Sequence, residues 1–510
     1  EAILSIGGAG TLDQINFAPA ANTLKRLHIN RAAATVSLGS NFSIREALNI
    51  VSGTLNASSH TIHMLGTTWS VNGATGGFVD AGSSTVNFDG NTTVSFACDF
   101  HNINLLAGRS LSFPSAQVNV SGQINFDATA TFVPNEGTLN LVAALTQNID
   151  AANHTFYNIA VAKSAGDVNI TETLNLTSFL NINSATAVMS NGNLVLKSNN
   201  DELINTTNST SLDGKIGPIL AGGSVVGDVI VERHIIALPA GGNRLPFRYI
   251  APPVLDADWS GASLLKHNTV TEAAANPELK YNVGSGGWKT HNTASGLQNG
   301  EGYRLRAPNA TDLVFTGEIA SGSITWEFKN AKAAWFMIGN PYPSAIAWLN
   351  DIDSSRWEAN NISSLIGIYD NFSEGYPNYF RYAYMPEPVD GVPADQWGTL
   401  AEQNVIATGQ AFWVYVGAGG GFLTIKENAK VSATEVGRFY RRDNAKAVAS
   451  ANQLIISLSD GKTNDMAKIQ LYTSGNVLPS IGTHDIAKLW NEEMDVYFLN
   501  EQQSELLVYG

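Results

Sequence analysis

Apolar and polar residues alternate along the first part of the chain in short pieces that are broken by Gly, Asn and Ser. Examples are Leu24-x-x-Leu27-x-Ile29, Val118-x-Val120 and Leu174-x-Leu176. Alternation with a period of two is typical of short strands with one buried face, and helical periodicity is almost absent. We therefore predict an all-β protein that begins with a repeated short-strand region over residues 1–225.

A larger repeat overlies this alternation. A triplet of Thr, then Leu or Val, then Asn or Asp begins at Thr11, Thr85 and Thr138, and an apolar strand pattern follows each time. The unequal intervals indicate a degenerate repeat with loop insertions. Such strands suit the rungs of a β-solenoid (a parallel β-helix), where stacking buries the apolar face that one rung leaves open. Asn at the corners fits, because it tolerates the left-handed conformation.

The alternative for residues 1–225 is one or two β-sandwiches built from hairpins. The pairs Asn72-Gly73 and Asn191-Gly192 favour hairpins, because this dipeptide is common in two-residue hairpin turns. The close spacing of the short strands favours the solenoid over the sandwich.

Two further regions are predicted after the repeats. The first 225 residues contain 8 basic and 14 acidic residues, and the remaining 285 contain 21 and 30, which indicates a domain boundary near residue 225. Residues 226–445 are rich in aromatic strands and predict a β-sandwich domain. Residues 446–510 predict a partial β-sandwich that is incomplete or is completed by another chain. We expect the sequence to be a processed or partial piece of a longer polypeptide.

Composition and charge exclude several kinds of partner. Charged residues make up 14 % of the chain, below the roughly 25 % of average domains, and the net charge is −15. We expect no nucleic-acid partner, because phosphate binding needs a positive field. We also expect no membrane insertion, because no apolar run approaches the ~20 residues of a span. Cys98, in an alternating run, is predicted to be a buried structural thiol.

A series of motifs in the second half resembles a known class. They are, in order, Gly227-Asp-Val-Ile-Val-Glu-Arg233, Gly300-Glu-Gly-Tyr303, Ile338-Gly-Asn-Pro-Tyr-Pro-Ser344 and Gly409-Gln-Ala-Phe-Trp-Val414. They resemble the large secreted surface proteins, adhesin-like, of the type IX secretion class of gliding and related bacteria. The resemblance implies a strand-repeat region followed by a β domain, and a location at the bacterial cell surface or released from it. It carries no catalytic residues, and the sorting domain of that class is not present in this chain.

Candidate binding residues lie in the aromatic region. We predict that Trp357, Tyr376, Tyr379 and Trp397 are exposed in loops and contact a glycan or a protein partner. The alternative is that the aromatic residues of this region, among them Trp335, Phe412 and Trp413, belong to the core. The acidic residues that could hold calcium are Asp351, Asp353, Asp370 and Glu374, although their spacing is not that of an EF-hand. No other cofactor is expected.

The function predicted from the sequence is non-enzymatic. The acids of the repeat region, such as Asp89 and Asp99, are scattered singly, and no catalytic residue is identified. We expect an extracellular adhesin or a structural subunit of a cell-surface fibre, which self-associates head-to-tail by strand addition. The alternative is a secreted polysaccharide-binding or polysaccharide-degrading protein. A degrading enzyme would need two carboxylates about 5–9.5 Å apart in a groove.

Overall fold

The fold is that of a computed structural model, which describes most of the N-terminal half and parts of the C-terminal half. The described residues are 2–8, 12, 14–72, 76–79, 83–198, 213–219, 222–235, 247–257, 280–282, 288–290, 297–306, 311–329, 333–348, 355–370, 379–383, 405–431, 453–459, 464–470, 498–499 and 505–506.

The protein is nearly all β, as the alternation predicts. It divides into two compact units, the first made of residues 1–199, 206–233 and 315–321 and the second of the rest. The helices of the described residues are the 3-10 turns Pro19–Ala21 and Glu427–Ala429, and none of these residues forms an α-helix. In the part of the chain that the structure describes, no helix has the length and apolar character needed to cross a membrane.

The first unit is a parallel β-solenoid of about nine turns, which confirms the solenoid prediction. The solenoid begins with β1 (Ala2–Gly7) and two long strands, β2 (Thr23–Ser37) and β3 (Phe42–Asn56). Short strands then follow the three sides of the solenoid in turn: β4 (Thr61–Met64), β5 (Thr68–Val71), β6 (Gly76–Val79), β7 (Thr85–Phe88), β8 (Asn91–Val94), β9 (Cys98–Phe100), β10 (Asn102–Leu105), β11 (Ser110–Ser112), β12 (Gln117–Val120), β13 (Ile124–Phe126), β14 (Thr131–Val133) and β15 (Thr138–Leu141).

The last turns contain short strands together with three longer ones. In order they are β16 (Gln147–Asp150), β17 (Thr155–Val161), β18 (Val168–Ile170), β19 (Leu174–Ile182), β20 (Ala187–Met189), β21 (Leu194–Leu196), β22 (Lys215–Ile216), β23 (Ser224–Val226) and β24 (Val229–Ile235). The longer strands are β17, β19 and β24. We call the side that runs through β4, β7, β10, β13, β16, β18, β20 and β23 the first sheet. Strand β3 joins this side to the side formed by β5, β8, β11 and β14, which we call the second sheet, and the third sheet contains β9, β12, β15, β17 and β19.

Turn length varies while the register within each sheet is kept. Thr85 lies beside Thr61 of the preceding turn and Asn102 of the next, so a turn of 24 residues is followed by one of 17. The corners absorb this difference, because a parallel sheet fixes which residues face inward only along its strands. Inward positions therefore stack on one another from turn to turn whatever the corner length.

The interior is filled by apolar side chains, with two aromatic clusters along the axis. The first cluster is Trp69, Phe78, Phe88 and Phe100, with ring centroids 5.0–6.1 Å apart. The second is Phe113, Phe126, Phe132 and Phe156, at 4.9–5.9 Å. Each turn alone would leave these rings exposed, so stacking of turns supplies the core.

Cys98 points into this interior, which confirms the prediction of a buried thiol. Burial, and to a lesser degree the nearby Asp99 carboxylate, raises the pKa of the Cys98 thiol well above its usual value. The thiol is therefore inert in the folded protein.

The alternative of hairpins at Asn-Gly pairs is wrong where the structure describes them. Asn191 and Gly192 both have positive φ, 52° and 75°, but they form a solenoid corner. The flanking strands β20 and β21 pair with different parallel neighbours, β18 and β19. Gly73 of the other pair lies outside the described residues. The solenoid also continues past residue 225, because Val229 to Val231 pair with β21.

One buried cation lies in the corner between the third and first sheets. Lys163, only 5 % exposed, places Nζ 2.7 Å from the carbonyl oxygen of Leu145 and 2.9 Å from Oε1 of Gln147. The Gln147 amide donates in turn to the carbonyls of Val120 and Gly122, at 2.9 Å each. Burial lowers the pKa of Lys163 to about 8, and Asp167 opposes this shift.

The first prediction concerns the pH dependence of this corner. Because the pKa of Lys163 is about 8 when folded and near 10.5 when unfolded, the unfolded chain binds more protons between these values. The contribution of Lys163 to the free energy of unfolding therefore rises with pH, by about 2–3 kcal/mol between pH 7 and 10.

The measurement is urea unfolding of the protein and of Lys163→Met at pH 7 and at pH 10. Tyr157, whose pKa burial raises, titrates in both proteins and cancels in the difference. An equal difference at both pH values would contradict the prediction.

The second unit consists of small antiparallel sheets in the described residues. Its strands are β25 (Phe247–Ile250), β26 (Lys280–Asn282), β27 (Trp288–Thr290), β28 (Tyr303–Arg306), β30 (Ile324–Phe328), β31 (Ala334–Gly339), β32 (Ile346–Ala347), β33 (Trp357–Asn360), β34 (Ile362–Asp370), β35 (Tyr379–Ala383), β36 (Val405–Ile406), β37 (Ala411–Val416), β38 (Gly421–Ile425), β39 (Gln453–Ser459), β40 (Asn464–Gln470), β41 (Phe498–Leu499) and β42 (Glu505–Leu506). Strand β29 (Thr311–Gly317), whose last three residues belong to the first unit, lies beside β24 in the sheet of β19 and β21 and not in these small sheets.

The Gly-Asn-Pro-Tyr-Pro stretch is buried within this unit. Asn340 is fully buried, and its Nδ2 lies 2.8–3.2 Å from the carbonyl oxygens of Ser344, Ile406 and Ala407. Its Oδ1 accepts the backbone N–H of Tyr342 at 3.1 Å. The side chain therefore ties the turn after β31 to the loop before β37. The stretch therefore has a structural role, since both Nδ2 and Oδ1 of Asn340 form hydrogen bonds within the fold.

Candidate functional site

The aromatic residues that the sequence proposed as exposed ligands are placed differently by the structure. Trp357 is 4 % exposed in β33, and its Nε1 donates to the carbonyl oxygen of Ala347 at 2.8 Å. Its ring packs edge-on against Trp348 at 4.5 Å. The expectation that Trp357 is an exposed loop residue is wrong, because pairing of β33 with β38 buries it in the core. Trp335, Phe412 and Trp413 are also buried, as the alternative predicted.

The other predicted residues are described in part or not at all. Asp370, the last residue of β34, pairs with Tyr379, the first residue of β35, and the structure describes only the backbone of these two residues. The remaining candidates lie outside the described residues: Tyr376, Trp397, Asp351, Asp353 and Glu374. Among the residues that the structure does describe, no group of three or more His, Cys, Asp or Glu could hold a metal ion.

A regular array of polar side chains covers the outside of the first sheet. The alternation that points apolar residues inward points every second residue of these strands outward. We call the outward residues from β7 to β18 the amide face: Thr85, Asn87, Asn102, Asn104, Gln123, Asn125, Asn148, Asp150 and Asn169.

The amides of this face bond to one another from turn to turn. Nδ2 of Asn104 donates to Oδ1 of Asn87 at 2.8 Å, and Nδ2 of Asn125 donates to Oδ1 of Asn104 at 2.9 Å. In the neighbouring column Asn169 donates to Asn148 at 3.0 Å and accepts from Asn191 at 2.8 Å. Stacked, in-register strands bring identical side chains together, and Asn ladders form there. Each amide is therefore held in one orientation.

The third sheet has a matching ladder on its own outer side. Asn119 donates to Oδ1 of Asp99 and accepts from Nδ2 of Asn140 at 2.8 Å. In this ladder, as on the amide face, each bond that one ladder Asn donates to the next ladder side chain points toward the preceding turn. Asp99 stands at the N-terminal end, where an acceptor is required.

Asp150 stands at the opposite end of a ladder and breaks this rule. It lies in register with Asn125, which directs one Nδ2 hydrogen at Asn104 and so leaves its Oδ1 as the ladder acceptor for the next turn. The position after Asn125 requires a donor, and an ionised carboxylate has none. The Oδ1 of Asp150 is buried without a hydrogen-bond partner.

The second prediction follows from this mismatch. Asp150→Asn is expected to stabilise the solenoid by about 1–2 kcal/mol, because the new amide can donate to Asn125 and the unpaired acceptor is removed. The control is Asp99→Asn, which replaces one acceptor by another and should change stability by less than about 0.5 kcal/mol. The measurement is the midpoint of urea unfolding. Equal effects of the two substitutions would show that ladder direction does not determine stability here.

The amide face was missed from the sequence because Asn was interpreted only as a corner residue. The available signal was Asn between two apolar residues, as in Val86-Asn-Phe88, Ile103-Asn-Leu105 and Ile124-Asn-Phe126. These tripeptides recur once per turn. An outward amide that recurs once per turn predicts a ladder on one side of a solenoid.

The fold and this surface define an all-β protein whose N-terminal unit is a parallel β-solenoid with a polar amide face. The chain belongs to the family described as a domain of unknown function (DUF8693), which matches residues 125–476. No curated protein and no solved structure matches the chain.

Proposed function

We propose that this protein is a non-enzymatic extracellular surface protein, an adhesin or a structural subunit of a cell-surface fibre. The solenoid is a rigid spacer in this proposal, and the amide face is its contact surface. The observation that supports it best is the set of amide ladders over a closed apolar interior, since both fix the outer surface in one conformation. The resemblance to type IX secreted surface proteins supports a location at the cell surface or released from it.

Self-association by strand addition is part of the proposal. Strand β1 pairs with β2, and no second strand pairs with it among the described residues. Leu4 and Ile6 lie in register with Leu27 and Ile29, which are fully buried. Leu4 and Ile6 themselves are only half-buried. A strand from another copy, added to this edge, would cover them and lengthen the solenoid.

Sedimentation of the whole chain tests the assembly. We expect concentration-dependent self-association that Leu4→Lys weakens at least tenfold, because a charge would face the joined interior. Ser5→Lys is the control, since it adds the same charge to the exposed side of β1 and should assemble normally. A protein that stays monomeric at every concentration, or equal assembly by both variants, would contradict strand addition at β1.

Location is tested on the cells that make the protein. Antibodies against the purified protein are expected to label intact cells or the culture medium. Signal only after cell lysis would overturn the extracellular proposal.

A further inference from the structure

We infer that the amide face binds a neutral polysaccharide chain that lies along the solenoid axis. This inference rests on the proposed adhesive role and names the ligand class of the same surface. It places the glycan contact on the solenoid and not at Trp357, which is buried.

The ladder leaves each amide with unused hydrogen-bonding capacity. An Asn side chain has two N–H donors and an oxygen with two lone pairs. Asn104 uses one donor toward Asn87 and one lone pair toward Asn125. One donor and one lone pair of Asn104 therefore remain for a ligand, and Asn169, which also donates once and accepts once in its ladder, keeps the same two. A hydroxyl group both donates and accepts, so it can satisfy both.

Spacing favours an extended polymer over a small molecule. Neighbouring turns lie about 4.8 Å apart in a sheet, and outward residues of one strand lie about 6.6 Å apart. The amide face therefore repeats its donors and acceptors along the axis at an interval similar to one residue of an extended β-linked glycan. A chain of such residues would meet one amide per sugar.

Charge favours a neutral ligand. Eight of the nine residues that define the amide face are uncharged, and the remaining one, Asp150, is acidic. The whole chain has a net charge of −15, so a polyanion would be repelled. A neutral polyhydroxylated chain faces no such repulsion.

The ladders also lower the cost of binding. A free Asn or Gln side chain loses rotamer freedom when a ligand holds it. Asn104, Asn125 and Asn169 already have fixed orientations through bonds of 2.8–3.0 Å. Binding to an ordered array therefore orders little more of the protein.

The experiment measures binding of the whole chain to insoluble β-1,4-glucan, β-1,3-glucan and chitin, with polygalacturonate as the polyanion. We expect binding to at least one neutral polysaccharide and none to polygalacturonate. Asn104→Lys is expected to reduce that binding at least tenfold. The matched control is Asn119→Lys, which interrupts the equivalent ladder on the third sheet and should bind normally. Protection of Cys98 from alkylation shows that each variant is folded.

If Asn104→Lys does not fold, Asn125→Lys replaces it, since the exposed Asn125 makes only one ladder bond in this column. Absence of binding to all three neutral polysaccharides, or equal loss in the two lysine variants, would overturn the inference. Surface labelling and self-association would still stand in that case. Release of reducing ends during the incubation would instead overturn the non-enzymatic proposal.

Discussion

Phe100→Ala is expected to destabilise the solenoid by about 3–5 kcal/mol, the usual cost of emptying a buried aromatic position. Phe100 is 1 % exposed and contacts the rings of Trp69, Phe78 and Phe88 at 5.4–6.0 Å. These rings come from two successive turns and three sides of the solenoid. Because each turn is stabilised by its neighbours, the cavity weakens the stacking of both turns.

Alkylation of Cys98 measures this effect directly. Cys98 is the only cysteine of the chain, and it points inward from the same strand as Phe100. Its labelling in urea therefore reports opening of that turn. The control is Phe96→Ala, two residues before Cys98, where the ring is 49 % exposed and the expected change is within about 0.5 kcal/mol. Similar labelling in the two variants would show that the aromatic cluster is not what closes the solenoid.

Asn340→Asp is expected to destabilise the second unit by more than about 3 kcal/mol, because it buries a carboxylate among carbonyl oxygens. The substitution keeps the size of the side chain and removes the Nδ2 donor that faces Ser344, Ile406 and Ala407. No water reaches this side chain, which is fully buried. Urea unfolding followed by near-ultraviolet circular dichroism of the tryptophans of this unit measures the loss of unfolding free energy.

Asn361→Asp is the matched control for this substitution. Asn361 also donates Nδ2 to two backbone carbonyls, those of Ala418 at 3.1 Å and Gly420 at 2.8 Å. It is exposed, so water can solvate the new carboxylate and the lost partners, and a cost below about 1 kcal/mol is expected. Equal losses at the two positions would mean that burial of Asn340 is not what makes its amide essential.

Strand type and the solenoid could be predicted from the sequence, but the assignment of strands to sheets could not. Alternation and the Cys98 run are local signals, and both were interpreted correctly. The triplets at Thr85 and Thr138 looked equivalent, yet they lie in the first and third sheets respectively. All three sheets use the same alternation, so the pattern does not show which side of the solenoid a strand occupies.

The candidate site depended on long-range pairing, which the sequence does not encode locally. Trp357 follows the polar run Asp353-Ser-Ser-Arg356 and resembles a loop residue. Its burial results from pairing with Ile425, 68 residues later. The partner of each ladder amide likewise lies a full turn away, as with Asn87 and Asn104. A propensity scale penalises Asn in strands and so conceals a ladder.

The common direction of the ladders has a consequence for symmetry. Because the strands are parallel and the ladder Asn residues of both sheets donate to the ladder side chain of the preceding turn, the two ends of the solenoid are chemically different. Copies joined end to end through such a unit cannot be related by a two-fold axis across the joint. A fibre built in that way has a plus end and a minus end, and subunits would add to the two at different rates.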